Sequence, residues 1–161
     1  MAEELKISAG TKEDKYRLLL DQIAAVVSSE DDIIANMANM VAMIHETFGF
    51  WWTGFYRVCE NNPKQLVLGP FQGPLACCRI PFGRGVCGTA WAQAATVIVP
   101  DVDKFPGHIA CSSASRSEIV VPVLDRSSGM VTAVLDIDSA ELETFDDTDR
   151  IWLEKAVSLL G

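Results

Sequence analysis

Four of the five cysteines in this 161-residue chain lie between positions 77 and 111. They are Cys77, Cys78, Cys87 and Cys111. Cysteine is ordinarily a sparse, buried residue, so this concentration calls for a chemical reason. Redox chemistry, metal binding and ordinary packing are the three explanations to be weighed.

Redox chemistry suits the positions of at least two of these thiols. Cys111 follows Ala110 in a polar, serine-rich loop, so we expect it to be exposed, and an exposed thiol with other thiols nearby is a redox arrangement. Cys87 falls in the first turn of a predicted helix, where the helix dipole can lower a thiol pKa. Packing is the better explanation for Cys59 and also accounts for Cys78.

Metal binding and structural disulfides are weaker explanations. A zinc site would draw on these cysteines and His108, but the adjacent pair Cys77 and Cys78 is a poor set of ligands and no C-x-x-C motif is present. An odd number of cysteines cannot pair completely within one chain. A zinc-binding interaction protein therefore stays as a third interpretation, and we expect no bound metal.

Three carboxylic acids are predicted to meet on one face of a hairpin. Strands are predicted over 118–124 and 130–138, and if their loop is centred on Ser127, Glu118 faces Asp136. Alternation puts Asp138 on the same face as Asp136. Like charges this close raise the pKa of at least one carboxyl, which can then donate a proton, while an ionised one can hold an ammonium group. A solvated polar face is the alternative.

The rest of the pattern predicts the elements that position these side chains. Apolar spacing, turn residues and capping residues define them, and the methionines of the second helix are interpreted as core. The predicted elements are a helix from Glu13, a helix capped by Ser29, a hairpin of strands 51–58 and 65–71, a short helix over 85–95, a strand over 96–99, the hairpin above, and a final helix capped by Thr144. This order predicts an α+β fold with a largely antiparallel sheet.

The chain is predicted to be one domain over residues 1–161, with residues 1–12 loosely held. Its net charge of −9 argues against nucleic acid and against an anionic membrane surface as partners. No apolar run is long enough to span a bilayer, and the acidic start lacks the order of a signal peptide. We therefore expect a cytoplasmic protein.

The glycine loop GRGVCG at 83–88 matches a dinucleotide-binding pattern, G-x-G-x-x-G. Its context argues against that function, because an arginine and a proline precede it where a central parallel strand should run. A hairpin follows downstream instead of further βαβ units. We interpret the loop as a tight turn into a short helix.

Several segments together resemble the free methionine-(R)-sulfoxide reductases. The segments are WTGFY at 52–56, GRGVCGTA at 83–90, PDV at 100–102, FPGHIAC at 105–111, SEIVVP at 117–122 and LDIDS at 135–139. The resemblance implies a GAF domain, with a central antiparallel sheet, helices packed on one side, and a homodimeric assembly. Other GAF domains bind cyclic nucleotides or tetrapyrroles, so a small-molecule-sensing module without catalytic activity is the alternative.

The resemblance also implies residue roles. Cys111 would attack the sulfoxide, Cys77 would resolve the product, and Cys87 would be an auxiliary thiol that could exchange duties with the others. Trp52 and Tyr56 would enclose the S-methyl group.

The remaining implied roles concern the polar end of the substrate. Glu118, Asp136 and Asp138 would bind it and activate the sulfoxide, and backbone N–H groups from Ile109 and Ala110 to Cys111 would face its carboxylate. The implied substrate is free methionine-R-sulfoxide, the implied reductant is thioredoxin, and no metal or organic cofactor is required.

Overall fold

A computed structural model describes residues 4–108 and 114–160 of the chain. In this range the strands form one six-stranded sheet in the order β3-β2-β1-β6-β5-β4, and each neighbouring pair is antiparallel. The predicted α+β class with a largely antiparallel sheet is confirmed. The elements are α1 (Lys12–Val27), α2 (Ile33–Phe48), β1 (Trp52–Cys59), β2 (Asn62–Gln72), β3 (Arg79–Pro81), α3 (Gly85–Gln93), β4 (Val97–Val99), β5 (Ser117–Leu124), β6 (Val131–Ser139) and α4 (Asp147–Ser158).

One face of the sheet is covered by the three long helices α1, α2 and α4. Phe55 of β1 and Leu135 and Ile137 of β6 point into this layer and are fully buried. Burial of each such side chain contributes about 1.5–3 kcal/mol. Met37 and Met40 of α2 are buried in the same core, which confirms that these methionines serve packing.

A buried carboxylate ties α1 to α4 within this layer. Asp149 is 1% exposed, and it accepts hydrogen bonds from the Tyr16 hydroxyl at 2.5 Å and from Lys12 Nζ at 2.7 Å. Its second role is to accept the backbone N–H of Asp146 in the capping box of α4. The polar group is therefore fully paired, as burial requires.

Two of the predicted helix caps were wrong by a few residues. Asp32, not Ser29, caps α2 by accepting the N–H of Ala35 at 2.9 Å. Asp146 caps α4, while the predicted cap Thr144 donates its hydroxyl to Ser139 at 2.6 Å. Serine, threonine and aspartate are all favoured N-cap residues, so neighbouring candidates are not separated by residue type alone.

The three long helices lie on one face of the sheet, and the short helix α3 covers part of the opposite face. Val86 and Trp91 of α3 pack against Tyr56 of β1 and against strands β5 and β6. Gly83, two residues before the helix, and Gly85, its first residue, adopt positive φ angles of 75° and 63°. The glycine loop is thus the predicted tight turn.

The register of the β5–β6 hairpin differs from the prediction by two residues. Glu118 pairs with Asp138, and Asp136 pairs with Val120, where Glu118 was predicted to face Asp136. One residue of the shift comes from the turn, where Leu124 pairs with Val131 instead of Met130, and the second comes from an irregularity between Val123 and Leu124 that inserts an extra residue. Because side chains alternate with a period of two, a two-residue shift leaves all three acids on one face.

The first described residues, 4–11, form no helix or strand. They are nevertheless attached, because Lys6 exchanges two backbone–side-chain hydrogen bonds with Gln22 of α1, at 2.8 and 2.7 Å. The extent of the single domain over 1–161 stays a prediction.

Candidate active site

A cavity lies on the α3 face of the sheet, between the ends of β1, β5 and β6 and the first turn of α3. It brings together aromatic rings, carboxylic acids, a thiol and an imidazole. Residues far apart in sequence meet here because the three strands are neighbours and α3 packs across them. Six predicted site residues line it: Trp52, Tyr56, Cys87, Glu118, Asp136 and Asp138.

Aromatic rings from β1 form one wall of the cavity, and Phe71 of β2 packs against them. Trp52 stacks against Tyr56 with ring centroids 5.9 Å apart and against Phe71 at 5.4 Å. The Trp52 indole N–H donates to the carbonyl of Pro74 at 3.0 Å, which fixes the ring. This wall is rigid and apolar on the side that faces the cavity, so it suits a small apolar group such as a methyl.

Gly54 makes the aromatic wall possible, and the sequence analysis did not identify it. It lies between Trp52 and Tyr56 on the same face of β1, and a Cβ at this position would collide with the Trp52 ring and with Phe71 Cβ. The available signal was a glycine inside a predicted strand, which often marks a close approach of another group.

The three acids, Glu118 of β5 and Asp136 and Asp138 of β6, lie side by side on the face of the sheet that lines the cavity. Glu118 is 5% exposed and Asp136 is 6% exposed. Burial, reinforced by the charge of Asp138, raises the pKa of Glu118 to about 8, although a hydrogen bond with Asp136 opposes the shift. Burial and then Glu118 raise the pKa of Asp136 well above its usual value. At neutral pH the cluster therefore holds protons that ordinary carboxyls would have lost.

The third acid and two polar neighbours complete the cluster. Burial and the charge of Asp136 raise the pKa of Asp138, and a hydrogen bond from Ser115 Oγ at 3.1 Å opposes this. His108 Nε2 lies 3.5 Å from Glu118 Oε1. Among the described residues, Asp136 Oδ1 has no hydrogen-bond partner, although it is buried. An unpaired buried oxygen of this kind points to a missing donor supplied by a ligand.

Cys87 is buried against this cluster, contrary to the expected effect of the helix dipole. Burial, followed by the charges of Asp136 and Glu118, raises the pKa of its thiol well above the usual value. The dipole prediction was wrong because it considered the helix terminus alone, whereas complete burial among acids dominates here. Ligand atoms of Cys87, Glu118 and Asp136 all lie within 4.8 Å of one another, a spacing that could hold a metal ion.

The other cysteines occupy different environments. Cys77 is disulfide-bonded, and its carbonyl oxygen accepts the Tyr56 hydroxyl at 2.8 Å. Cys59 is buried, as predicted, with its sulfur 3.1 Å from Arg79 Nη1. Cys78 is exposed, so the packing explanation for it was wrong. It directly follows Cys77 and immediately precedes the edge strand β3.

The predicted residues Ile109, Ala110 and Cys111 lie outside the described residues, and their predicted roles stay predictions. His108 and Ser115, on either side of this segment, both line the cavity. The side chains that line the cavity can enclose an apolar group, hold a cationic group and supply protons.

The fold and the cavity are those of a domain that binds small molecules. The family model of the GAF domain matches residues 32–161. GAF domain-containing protein A of Dictyostelium discoideum is 54% identical, with 99% of both chains covered. Free methionine-R-sulfoxide reductase of Saccharomyces cerevisiae is 40% identical over 93% of this chain and 86% of its own.

A solved structure of free methionine-R-sulfoxide reductase from Neisseria meningitidis, in complex with its substrate, superposes with a TM-score of 0.93. The two sequences are 54% identical, and the match covers 98% of this chain and 92% of the Neisseria meningitidis chain. The chain therefore belongs to the GAF domain family and, within it, to the free methionine-R-sulfoxide reductases, which confirms the resemblance found in the sequence.

Proposed function

We propose that this protein reduces free L-methionine-(R)-S-oxide to L-methionine with its own thiols. The observation that carries the proposal is the pairing of an aromatic wall with buried, protonated carboxyls in one cavity. The relative from Neisseria meningitidis, 54% identical, was solved with its substrate in a fold of the same shape.

The cavity supplies complementary contacts for each part of this substrate. The S-methyl group packs against the wall formed by Trp52 and Tyr56, and the sulfoxide sulfur then faces the acids. The cluster of Glu118, Asp136 and Asp138 holds the α-ammonium group through whichever of its carboxyls is ionised. A methionine inside a polypeptide has no α-ammonium, so the cluster selects the free amino acid. Backbone N–H groups near Ile109 and Ala110 hold the carboxylate in this scheme.

Proton donation is the task of the buried acids. A sulfoxide sulfur is a poor electrophile until its oxygen accepts a proton or a strong hydrogen bond. Glu118, with a pKa of about 8, is protonated at neutral pH and is therefore able to donate. Asp136, whose pKa is also raised, lies next to it and can share that proton.

Cys111 is the nucleophile in this proposal. Its segment is flanked by His108 and Ser115, which both line the cavity. The thiolate attacks the sulfoxide sulfur, the S–O bond breaks, and the oxygen passes to the cysteine with the donated proton. Free methionine leaves, and Cys111 is left as a sulfenic acid.

Cys77 then condenses with the sulfenic acid, releasing water and forming a disulfide. Support comes from Cys77 itself, which is disulfide-bonded and is anchored beside the cavity by Tyr56. Cys87 is the weaker candidate, because burial and acidic neighbours raise the pKa of its thiol. A dithiol of thioredoxin type reduces the disulfide, so the net reaction consumes one dithiol and one sulfoxide and yields methionine, water and a disulfide.

Partners, assembly and compartment stay predictions of this proposal. The reductant is thioredoxin, the assembly is a homodimer, and the scheme uses no metal or organic cofactor. Within the described ranges, no helix combines the length and apolar character needed to cross a membrane. We expect the protein to act in the cytoplasm.

The test is a reduction assay with the R and S epimers of methionine sulfoxide, each supplied free and inside a peptide. We expect turnover of the free R epimer alone, and loss of turnover in Cys111→Ser. Equal activity on peptide-bound sulfoxide, or full activity of Cys111→Ser, contradicts the proposal.

A thiol titration separates this enzyme from a GAF sensor. Without reductant, the free R epimer should consume one pair of thiols per chain, as disulfide condensation requires. A sensor would bind a ligand and lose no thiols.

A further inference from the structure

We propose that Cys87, Glu118 and Asp136 form a binding site for a thiophilic divalent cation, with Zn²⁺ as the natural occupant, and that this cation shuts off the cavity. Metal binding itself does not depend on the proposed function. Only the inhibitory consequence rests on it.

The three side chains are arranged as ligands already. Their sulfur and oxygen atoms all lie within 4.8 Å of one another, and all three residues are buried. Ligands around one Zn²⁺ at about 2.0–2.3 Å stand roughly 3.3–3.8 Å apart. Rotation of the side chains that moves the ligand atoms by about 1 Å brings them to this spacing. The three ligands stand on α3, β5 and β6, which are packed against one another.

A second observation points to a ligand at this place. Asp136 Oδ1 is buried and finds no hydrogen-bond donor among the described residues. The side-chain hydrogen bonds of the Asp136 carboxyl are with Glu118 and with the Cys87 thiol, the two partner ligands, while its interaction with His108 is electrostatic. Shared protons therefore hold these groups together, in the space that a cation would take.

The chemistry of the donor set selects the cation. A thiolate with carboxylates suits Zn²⁺, whereas Mg²⁺ and Ca²⁺ demand oxygen ligands in larger number. His108, whose Nε2 lies 3.5 Å from Glu118 Oε1, stands beside this set but outside the group of mutually close ligand atoms. The three ligands come from positions 87, 118 and 136, so no short spacing motif reveals them in the sequence.

Binding is an exchange of protons for the cation, without any redox change. Zn²⁺ takes up a lone pair on Cys87 Sγ and lone pairs on the two carboxylates. The thiol proton and the proton shared by Glu118 and Asp136 leave to solvent. The bound cation then removes the proton donors of the reaction and occupies the place of the sulfoxide oxygen, so inhibition is competitive with substrate.

The test uses the full-length protein, reduced and stripped of metal, with Co²⁺ as the spectroscopic probe. We expect one Co²⁺ per chain and an intense thiolate-to-cobalt charge-transfer band. Cys87→Ser should abolish the band, while Cys111→Ser and Cys59→Ser should keep it. A band that survives Cys87→Ser, or that disappears in Cys111→Ser, overturns the assignment, since the metal then uses other thiols.

A second variant guards against a folding defect in Cys87→Ser. Glu118→Gln keeps every thiol, and we expect it to weaken Co²⁺ binding at least tenfold while Mg²⁺ leaves both proteins unaffected. Unchanged Co²⁺ affinity in Glu118→Gln counts against the site.

Activity separates the two proposals. Metal-free protein should turn over free methionine-R-sulfoxide, and Zn²⁺ should raise the apparent KM at least tenfold with kcat unchanged. An inactive metal-free protein contradicts the proposed function but leaves the cobalt spectra decisive for the metal site. An active protein without a charge-transfer band refutes the metal site alone.

Discussion

The two faces of the sheet are built from the same strands for opposite purposes. On β6, Leu135 and Ile137 point toward the long helices and are completely buried among apolar neighbours. Their immediate neighbours Asp136 and Asp138 point to the other face, where burial and mutual repulsion raise their pKa values. One face thus holds the fold together, while the other keeps polar groups in an unfavourable, reactive state.

The largest expected effect is a loss of activity from the cavity face. Asp136→Asn and Glu118→Gln remove a proton donor while preserving shape, and we expect kcat/KM to fall by about 10²–10⁴-fold. The same variants should keep or gain thermal stability, because they remove a source of repulsion among buried acids. Steady-state kinetics with the free R epimer, together with thermal melts, measure both effects. Activity within twofold of wild type would remove these acids from the mechanism.

The helical face should show the reverse pattern. Leu135→Ala leaves a cavity in the core, so we expect it to lower the free energy of unfolding by about 2–5 kcal/mol. The fraction that stays folded should retain near-normal KM. Urea denaturation gives the stability, and Thr132→Ala at the start of the same strand is a mild control. A Leu135→Ala protein of normal stability would break the contrast between the faces.

A smaller effect is expected where the aromatic wall meets the strand. Gly54→Ala places a methyl group against the Trp52 ring and Phe71, so the ring must move. We expect KM to rise about tenfold, since misplacement of a substrate contact by a fraction of an ångström weakens binding. Gly129→Ala, in the β5–β6 turn away from the cavity, tests whether any glycine change has this effect. An unchanged KM in Gly54→Ala would mean that the ring position is unimportant.

A dependence of stability on pH is expected as well. Glu118 keeps its proton in the folded state up to about pH 8, whereas the unfolded chain loses it near 4.5. Because the folded state binds more protons, stability falls as pH rises between these values, by about 1.4 kcal/mol per pH unit from this group alone. Melts of metal-free protein from pH 5 to pH 9 measure the slope. Glu118→Gln should flatten it, and equal slopes in both proteins would contradict the assigned pKa.

Residue alternation made much of this arrangement predictable. The period of two predicted the strands over 118–124 and 130–138, and it predicted that Glu118, Asp136 and Asp138 share one face. A two-residue shift in register leaves that shared face unchanged. The pairing partners did not follow, because the turn and the irregularity at Val123 and Leu124 each shift the register by one residue, and residue types do not encode this backbone geometry.

Burial was the harder quantity to foresee. The sequence indicated that Cys87 begins a helix, but it did not show that the helix presses this thiol against the acids, so the predicted direction of its pKa was wrong. Gly54 was likewise identified only once the rings of Trp52 and Phe71 were placed. Local pattern thus predicts elements and faces, while the three-dimensional packing decides the electrostatics.

The central claim is that a proton held by the buried acids activates the sulfoxide. The most direct measurement is the single-turnover rate of sulfenic acid formation on Cys111 in metal-free Cys77→Ser protein, followed against pH with the free R epimer. The account predicts a rate that declines above about pH 8, as Glu118 loses its proton, and a slow rate without that decline when Glu118→Gln is added. A rate that is equally fast with and without Glu118→Gln, over the whole pH range, would contradict it.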